Sequence, residues 1–372
     1  MKILYLNFVP SYELGVLKKM EFQKKSLEKY GINVFSTSIK KDTFYFDNDK
    51  IFVFKEGKNI KNKILRKLQQ ILILKKIVNL IKINKINVLY FRYELTEIQH
   101  LYFFRYLKKI LDLKIIIEIP TYPYDKEYTK LSYKILSDKI LRKYNKKYVD
   151  RIVTFSSDNE IFGIKTIKIN NGIDINQISI INRLKKQENS EINFITVARI
   201  AFWHGIDRFI LSMAEYYKTN PKEIIKFHII GDGGKEIVKE LKKLVKDNNL
   251  EDYVIFYGYK SGKELDNIYN QIDIAIGSLG IHRLKLEEVQ PLKNREYCAK
   301  GLPFIISFRD PCFDNKEFVY KVSDDENLFD IKDAIKWYKN LKILPEEIRE
   351  YSKQFTWDIQ VGKVVEYLED KN

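Results

Sequence analysis

Glu288 and Glu296 stand eight positions apart in LEEVQPLKNREYCAKGLP (286–303), and the pattern predicts a helix opening at the second glutamate and ending at Gly301. A carboxylate at a helix N-terminus keeps its charge easily, because the dipole and the free N–H groups favour an anion there. From that position its two oxygens can accept hydrogen bonds from vicinal hydroxyls, such as those of a ribose. Glu288, on the preceding loop, then faces whatever is attached beyond the ribose. The chemistry that suits this layout is recognition of a sugar nucleotide.

Other segments carry complementary chemistry. The strand INFITVA ends at Arg199, and IAFWHG leads through His204 and Gly205 into a helix from about Ile206. An arginine beside a helix N-terminus suits a diphosphate, joining a bidentate cation to free N–H groups. FHIIGDGGKEI (227–237) reads as a buried strand, a glycine turn and a helix. Gly231, Gly233 and Gly234 there let backbone come close to a neighbour, which serves a structural turn or a ligand contact equally well. In EIPTYPYDKE (118–127) two prolines fix a loop whose Tyr122 and Tyr124 are placed either to stack on a sugar or to rigidify a surface. Asp47-Asn48-Asp49 has the composition of a turn, not of a metal site. No Ser/His/Asp order, zinc cluster or phosphate-loop lysine supports a hydrolase or kinase.

Strand and helix patterns alternate along the chain, which predicts an α/β protein with parallel sheets covered by helices. Strands are expected at Ile3–Phe8, Asn33–Ser36, Val88–Arg92, Ile115–Ile119, Ile152–Phe155, Asn193–Val197, Lys226–Ile230, Val254–Tyr257, Ile272–Ile276 and Phe304–Ser307. Asn171-Gly172 reads as a turn and 182–190 as a polar linker. The expected division is a Rossmann-like domain at 1–180, a second at 181–355, and a final helix at 356–372 crossing back to the first. Two doubly wound domains facing one another place their strand C-termini at a central cleft.

The Glu288–Pro303 segment resembles the E-x7-E signature of retaining GT-B glycosyltransferases of the family 4 type. There, Glu and seven residues precede Glu-Ala-x-Ala-x-Gly-x-Pro; here the second part reads Glu296-Tyr-Cys-Ala-Lys-Gly-Leu-Pro303. The segment after Arg199 resembles that family's G-R-L-x-x-x-K-G, whose Arg and Lys both hold the diphosphate. Arg199 and Gly205 match, whereas His204 stands where the Lys should be, and Lys293 is a candidate to supply the missing charge. The resemblance implies that Glu296 holds the ribose and that Glu288 binds the donor sugar. It implies that Tyr259 or Lys260, in YVIFYGYKSGKEL (253–265), flanks the base, and it sets Gly231 in the family's glycine turn. Gly15, after the first strand, matches a glycine near the transferred sugar. The implied reaction moves a hexose or N-acetylhexosamine from a nucleotide sugar, UDP-linked by expectation, with retention and without metal or other cofactor. The diphosphate departs under the stabilisation of Arg199 and its neighbours.

Composition bounds the remaining possibilities. At 372 residues the chain suits two domains, and no apolar run is long enough to span a membrane. MKILYLNFVP reads as a first strand, not a signal peptide, and two cysteines make no disulfide framework, which fits a reducing cytoplasm. Residues 1–180 hold 35 Lys and Arg against 18 Asp and Glu, a net charge of +17, while the remainder carries −1. Lys61, Lys63, Arg66, Lys67, Lys75, Lys76, Lys82 and Lys85 fall on one helical region with Ile64, Leu65, Leu68, Ile71, Leu72, Val78 and Ile81 as its apolar face. A second basic stretch runs from Lys130 to Arg151. Such a helix suits either an anionic membrane surface or a solvated face. The expected acceptor is therefore a lipid-linked saccharide of capsule, O-antigen or a similar surface glycan, reached at the inner face of a bacterial cell membrane. No zinc-ligand spacing, RNP sequence or helix-turn-helix points to nucleic acid. A GT-B sugar-nucleotide 2-epimerase and a non-catalytic carbohydrate- or membrane-binding relative are the alternative functions.

Overall fold

The computed structural model describes residues 1–55, 60–124, 133–182, 191–286 and 288–370, and the chain forms two compact units. The first comprises Met1–Asn170 with Trp357–Asn372, the second Asn171–Thr356. The boundary thus falls ten residues before the expected one at 180. Residues 171–181 belong to the second unit because Ile173 and Ile181 are buried in its core, and the Ile181 amide donates to the Lys300 carbonyl at 3.0 Å. Apart from Asn182, the linker expected at 182–190 lies outside the described residues.

The first unit runs β1 (Lys2–Leu6), α1 (Leu14–Lys29), β2 (Asn33–Lys40), β3 (Thr43–Phe46), β4 (Asp49–Val53), α2 (Ile60–Asn84), β5 (Val88–Arg92), α3 (Ile98–Ile110), β6 (Lys114–Ile119), α4 (Tyr133–Leu141), β7 (Arg151–Thr154), β8 (Glu160–Ile161) and β9 (Ile164–Lys168). The second runs β10 (Glu191–Val197), α5 (Ile206–Lys218), β11 (Ile224–Ile230), α6 (Lys235–Asp247), β12 (Val254–Gly258), α7 (Gly262–Tyr269), β13 (Ile274–Ile276), α8 (Leu292–Lys300), β14 (Phe304–Ile306), β15 (Val319–Lys321), α9 (Ile331–Asn340) and α10 (Pro345–Ser352). Helix α11 (Trp357–Glu369) belongs to the first unit.

Each sheet is buried on both faces, so its central strands read as continuous apolar runs. In the first unit the order is β4-β3-β2-β1-β5-β6-β7-β9-β8, with β2, β1, β5, β6, β7 and β9 parallel. The period of two sorts side chains between the faces. Ile3, Tyr5, Val88, Tyr90 and Ile116 join one core with α1 and α11, while Leu4, Leu6, Leu89, Phe91, Ile115 and Ile117 join the other with α2 and α3. Ten strands fall where the sequence predicts them; the β3–β4 hairpin, the β8–β9 pair and β15 are additions. Asp47-Asn48 is indeed a turn, joining β3 to β4, and the Asp47 carboxylate accepts from the Ser36 amide at 2.7 Å.

Two expectations about helices change here. Ile73, Leu74, Ile77 and Ile81 form the buried face of α2, whereas Leu68 and Leu72 are exposed. The apolar face is thus rotated from the expected one, because the strands beneath select Ile73 and Ile77. The side chains of Lys61, Lys63, Ile64 and Arg66 lie outside the described ones. Gly15 is not in a loop: it occupies the first turn of α1, with open space where a Cβ would stand.

The second unit has the all-parallel order β12-β11-β10-β13-β14-β15. Phe194, Ile225, Phe227, Ile229, Ile274 and Ile305 pack under α5, α6 and α9. Ile195, Ala275, Phe304 and Ile306 pack on the other face with Tyr297, Cys298 and Ala299 of α8 and Ile348 of α10. Chain order reverses between β10 and β13, so the crevice at their C-terminal ends is where a ligand of a doubly wound sheet belongs.

Candidate functional site

At that crevice the second unit gathers three segments: residues 198–205 after β10, 277–280 after β13, and the N-terminus of α8. Glycines permit the gathering. A Cβ on Gly231, whose φ is +125°, would lie 1.8 Å from the Ala198 carbonyl oxygen. A Cβ on Gly205, at φ +63°, would lie 2.6 Å from the Leu279 carbonyl carbon. Both glycines are therefore demanded by backbone packing beneath the site. The Leu279 amide donates to the His204 carbonyl at 2.9 Å, which ties the first two segments together. Arg208, buried on α5, donates to the Leu279 carbonyl at 3.0 Å and holds that loop from below.

Helix α8 begins at Leu292, four residues before the predicted start, with Pro291 as its N-cap. Glu296 therefore sits in the second turn and does not open the helix. The sequence misleads because Lys293, Asn294 and Arg295 read as a polar loop, yet all three are buried. The helix does end at Gly301, in the left-handed conformation with φ +77°. Glu296 lies near Tyr269 and Tyr297; burial first, and the Glu296 charge as a lesser cause, raise both phenols. The Tyr297 hydroxyl accepts from the Val197 amide at 3.0 Å and donates to the Ile276 carbonyl at 3.2 Å, pinning α8 to the ends of β10 and β13.

Lys293 is the unusual member. Its side chain is 9% exposed, and its Nζ has no hydrogen-bond partner among the described residues. Burial pushes its pKa down to about 7. His204 is close enough that, after burial, the Lys293 charge is the second cause lowering the imidazole to about 2. The ring is neutral, with Nε2 3.1 Å from the Arg199 carbonyl oxygen and Nδ1 3.4 Å from Ser278 Oγ. A neutral imidazole with one N–H can donate to that carbonyl and accept from the serine, so its only proton is committed inside the protein. His204 is therefore neutral and does not supply the positive charge that a lysine would carry at that position. Asn294 Oδ1 is also buried without a partner among the described residues. A helix N-terminus flanked by an unpaired ammonium is a place for an anion.

The remaining residues are placed as follows. Arg199 is exposed, with no ion pair among the described residues, and follows β10 directly. Glu288 is half-buried on the loop before α8; it forms a parallel bridge with Arg309, whose Nη1 lies 3.7 Å from Glu288 Oε2. Tyr259 is exposed just beyond β12, and Lys260 Nζ pairs with Glu264 at 3.2 Å. In the first unit Tyr124 is buried in the core against Tyr93, Tyr122 and Phe162, and its hydroxyl donates to Asp138 at 2.5 Å. That corrects the sugar-stacking role for Tyr124, since its ring has no free face. Tyr122 is half-buried, edge-on to Tyr124 and Phe162. Cys298 is core: its thiol donates to the Ile348 carbonyl at 3.1 Å, and burial raises its pKa. Sequence reasoning missed Ser278, Asn294, Arg208, Arg295 and Asp310. The G-S-L-G run after a buried strand was the available signal for the first. Among the described residues no cluster of three or more His, Cys, Asp or Glu is set to hold a metal.

Two doubly wound units of these topologies define the GT-B class of glycosyltransferase fold. Residues 177–355 match the family of glycosyl transferases group 1, and the chain is similar to solved glycosyltransferases throughout its fold. A glycosyltransferase from Rickettsia africae aligns over 100% of this chain and 99% of its own, with a TM-score of 0.66 at 14% identity. Anabaena HepE, solved in complex with UDP, aligns over 99% of both chains, with a TM-score of 0.63 at 15% identity. Alpha-monoglucosyldiacylglycerol synthase of Acholeplasma laidlawii is 30% identical over 122 residues, which is 33% of this chain and 28% of that protein.

The lysine makes a testable demand on stability. Its ordinary pKa of about 10.4 applies in the unfolded chain, and the folded value is near 7. Between these values the unfolded state binds more protons, so stability rises with pH, and below pH 7 the full destabilisation is present. We expect Lys293→Met to stabilise the ligand-free protein at pH 6.5 by on the order of a few kcal/mol, read as a rise in melting temperature. That gain should fall to roughly a third of its size at pH 9.5 and vanish only above about pH 10.4. Equal melting of the two proteins at both pH values would show that the ammonium is solvated.

Proposed function

We propose that this protein is a retaining glycosyltransferase moving a hexose or N-acetylhexosamine from a nucleoside-diphosphate sugar, UDP-linked by preference, to a lipid-anchored saccharide. The observation that carries the reading is the buried, unpaired Lys293 ammonium at the N-terminus of α8, which a diphosphate would complete. Arg199 adds a second, exposed cation just after β10. Opposite charge returns Lys293 to its protonated form and stabilises the leaving diphosphate as the bond to the anomeric carbon breaks. No side chain is assigned as nucleophile. The departing phosphate oxygen takes the acceptor hydroxyl's proton while that hydroxyl's oxygen bonds to the same face, which retains configuration. Glu296 binds the ribose. Glu288 holds hydroxyls of the donor sugar and stabilises positive charge on the ring. With protein cations opposite the diphosphate, no metal is required.

Thermal denaturation with UDP, GDP, ADP and CMP tests the donor. Ligand at a hundred times its dissociation constant stabilises by about 2.7 kcal/mol, a readily measured shift. We expect one nucleoside diphosphate to raise the transition, and Glu296→Ala to lose most of that rise. No shift with any nucleotide would remove the basis for a transferase and leave a non-catalytic relative.

The lipid-anchored acceptor rests on the surface of the first unit. Tyr133, Leu136, Ile140 and Tyr144, at helical spacing on α4 and the turn that follows, are all exposed, and Lys134, Lys139, Lys143 and Lys147 flank them. An apolar stripe edged by lysines lies at a lipid interface, where each cation contributes ~1 kcal/mol towards an anionic surface. No described helix is long and apolar enough to cross a membrane. Co-sedimentation with phosphatidylglycerol vesicles should be strong at low salt and weakened by high salt or by Leu136→Asp/Ile140→Asp. Equal binding to neutral vesicles would count against the anionic surface.

A further inference from the structure

The loop that carries Glu288 is held by a side chain to which no function has been given. Arg295, on α8, is fully buried and meets the fully buried Asp310 in a bidentate pair, Nη1 to Oδ2 at 2.5 Å and Nη2 to Oδ1 at 2.9 Å. Its guanidinium lies over the rings of Phe313 and Phe355, 5.3 and 5.4 Å from their centroids. The same guanidinium reaches forward into the loop, with Nη1 3.2 Å from the Pro291 carbonyl and Nη2 3.4 Å from Gln290 Oε1.

Asp310 is a junction as well. It accepts from Asn294 Nδ2 at 3.1 Å, and its neighbour Arg309 bridges the Glu288 strand segment: the Val289 amide donates to the Arg309 carbonyl at 3.2 Å. Glu288 is therefore held from both sides. On one side its chain continues through Gln290 and Pro291, which Arg295 grips. On the other it meets Arg309, which Asp310 anchors. A planar guanidinium with two parallel bonds fixes direction as well as distance, which an ammonium in the same place would not do.

We propose that Arg295 is a positioning residue. Paired with Asp310, it sets where Glu288 stands and so governs recognition of the sugar part of the donor, leaving the nucleotide part to Lys293 and Glu296. This rests on the nucleotide-sugar reading above.

The test compares UDP with UDP-glucose, UDP-galactose and UDP-N-acetylglucosamine, keeping whichever sugar nucleotide the wild type binds. Dissociation constants and the slow hydrolysis of that donor by water are measured in Arg295→Met, Arg295→Lys and Asp310→Asn. UDP affinity should stay within about twofold of wild type, while affinity for the sugar nucleotide and kcat for hydrolysis each fall about tenfold or more. Arg295→Lys should recover only part, for lack of the second bond. If the single variants fail to melt cooperatively, Arg295→Met/Asp310→Leu carries the same comparison, since an apolar pair can replace a buried ion pair without loss of the fold. Parallel loss of UDP and sugar-nucleotide affinity would show a purely structural pair and overturn the proposal. So would no loss of either. A wild type that binds UDP but none of the sugar nucleotides would overturn it too, whereas a wild type that binds no nucleotide refutes the donor reading itself.

Discussion

An ammonium removed from water without a counter-ion must be held in place by everything around it, because nothing local favours its being there. The second unit does this to Lys293. Tyr297 fastens α8 to the ends of β10 and β13, and the Cys298 thiol, donating to the Ile348 carbonyl, fastens the same helix to α10. Glycines at 205 and 231 let the backbone after β10 approach its neighbours closely. The helix N-terminus cannot tilt away to solvate the lysine without breaking these contacts. Stability is thereby given up at the point where an anion would restore it, a common arrangement at binding sites.

The division of labour follows from the same constraint. In the family this chain resembles, the diphosphate-binding lysine follows the first strand of the second domain. Here His204 stands at that point, neutral and hydrogen-bonded to the Arg199 carbonyl. A cation in that place would lie beside Lys293, and two like charges buried together would repel. A neutral His204 spares Lys293 that repulsion.

Much of the fold was legible in the sequence, for a physical reason. Strands covered on both faces are written as apolar runs such as INFITV and KIIIEI, and ten such runs became strands. The elements that escaped, the β3–β4 hairpin, the β8–β9 pair and β15, lie towards the margins of the sheets and are two to five residues long, too short to show a period. The site was legible in its residue types and less so in its geometry. Lys293, Asn294 and Arg295 look like a solvated loop because the partner that allows the burial of Arg295 is Asp310, fifteen positions further on. Local pattern cannot register such pairing. Tyr124 failed in the opposite way: a ligand contact by its place in the sequence, it is a core ring donating to Asp138.

The central claim is that Lys293 is the cation awaiting a diphosphate, and proton uptake measures it most directly. At pH 8 a lysine with a pKa near 7 is mostly neutral, and binding a diphosphate must return its proton. Calorimetric titration of UDP in two buffers of different ionisation enthalpy should show close to one proton taken up per nucleotide by the wild type. In Lys293→Met the uptake should vanish. Tight binding with no uptake, or uptake that survives the substitution, would contradict the account.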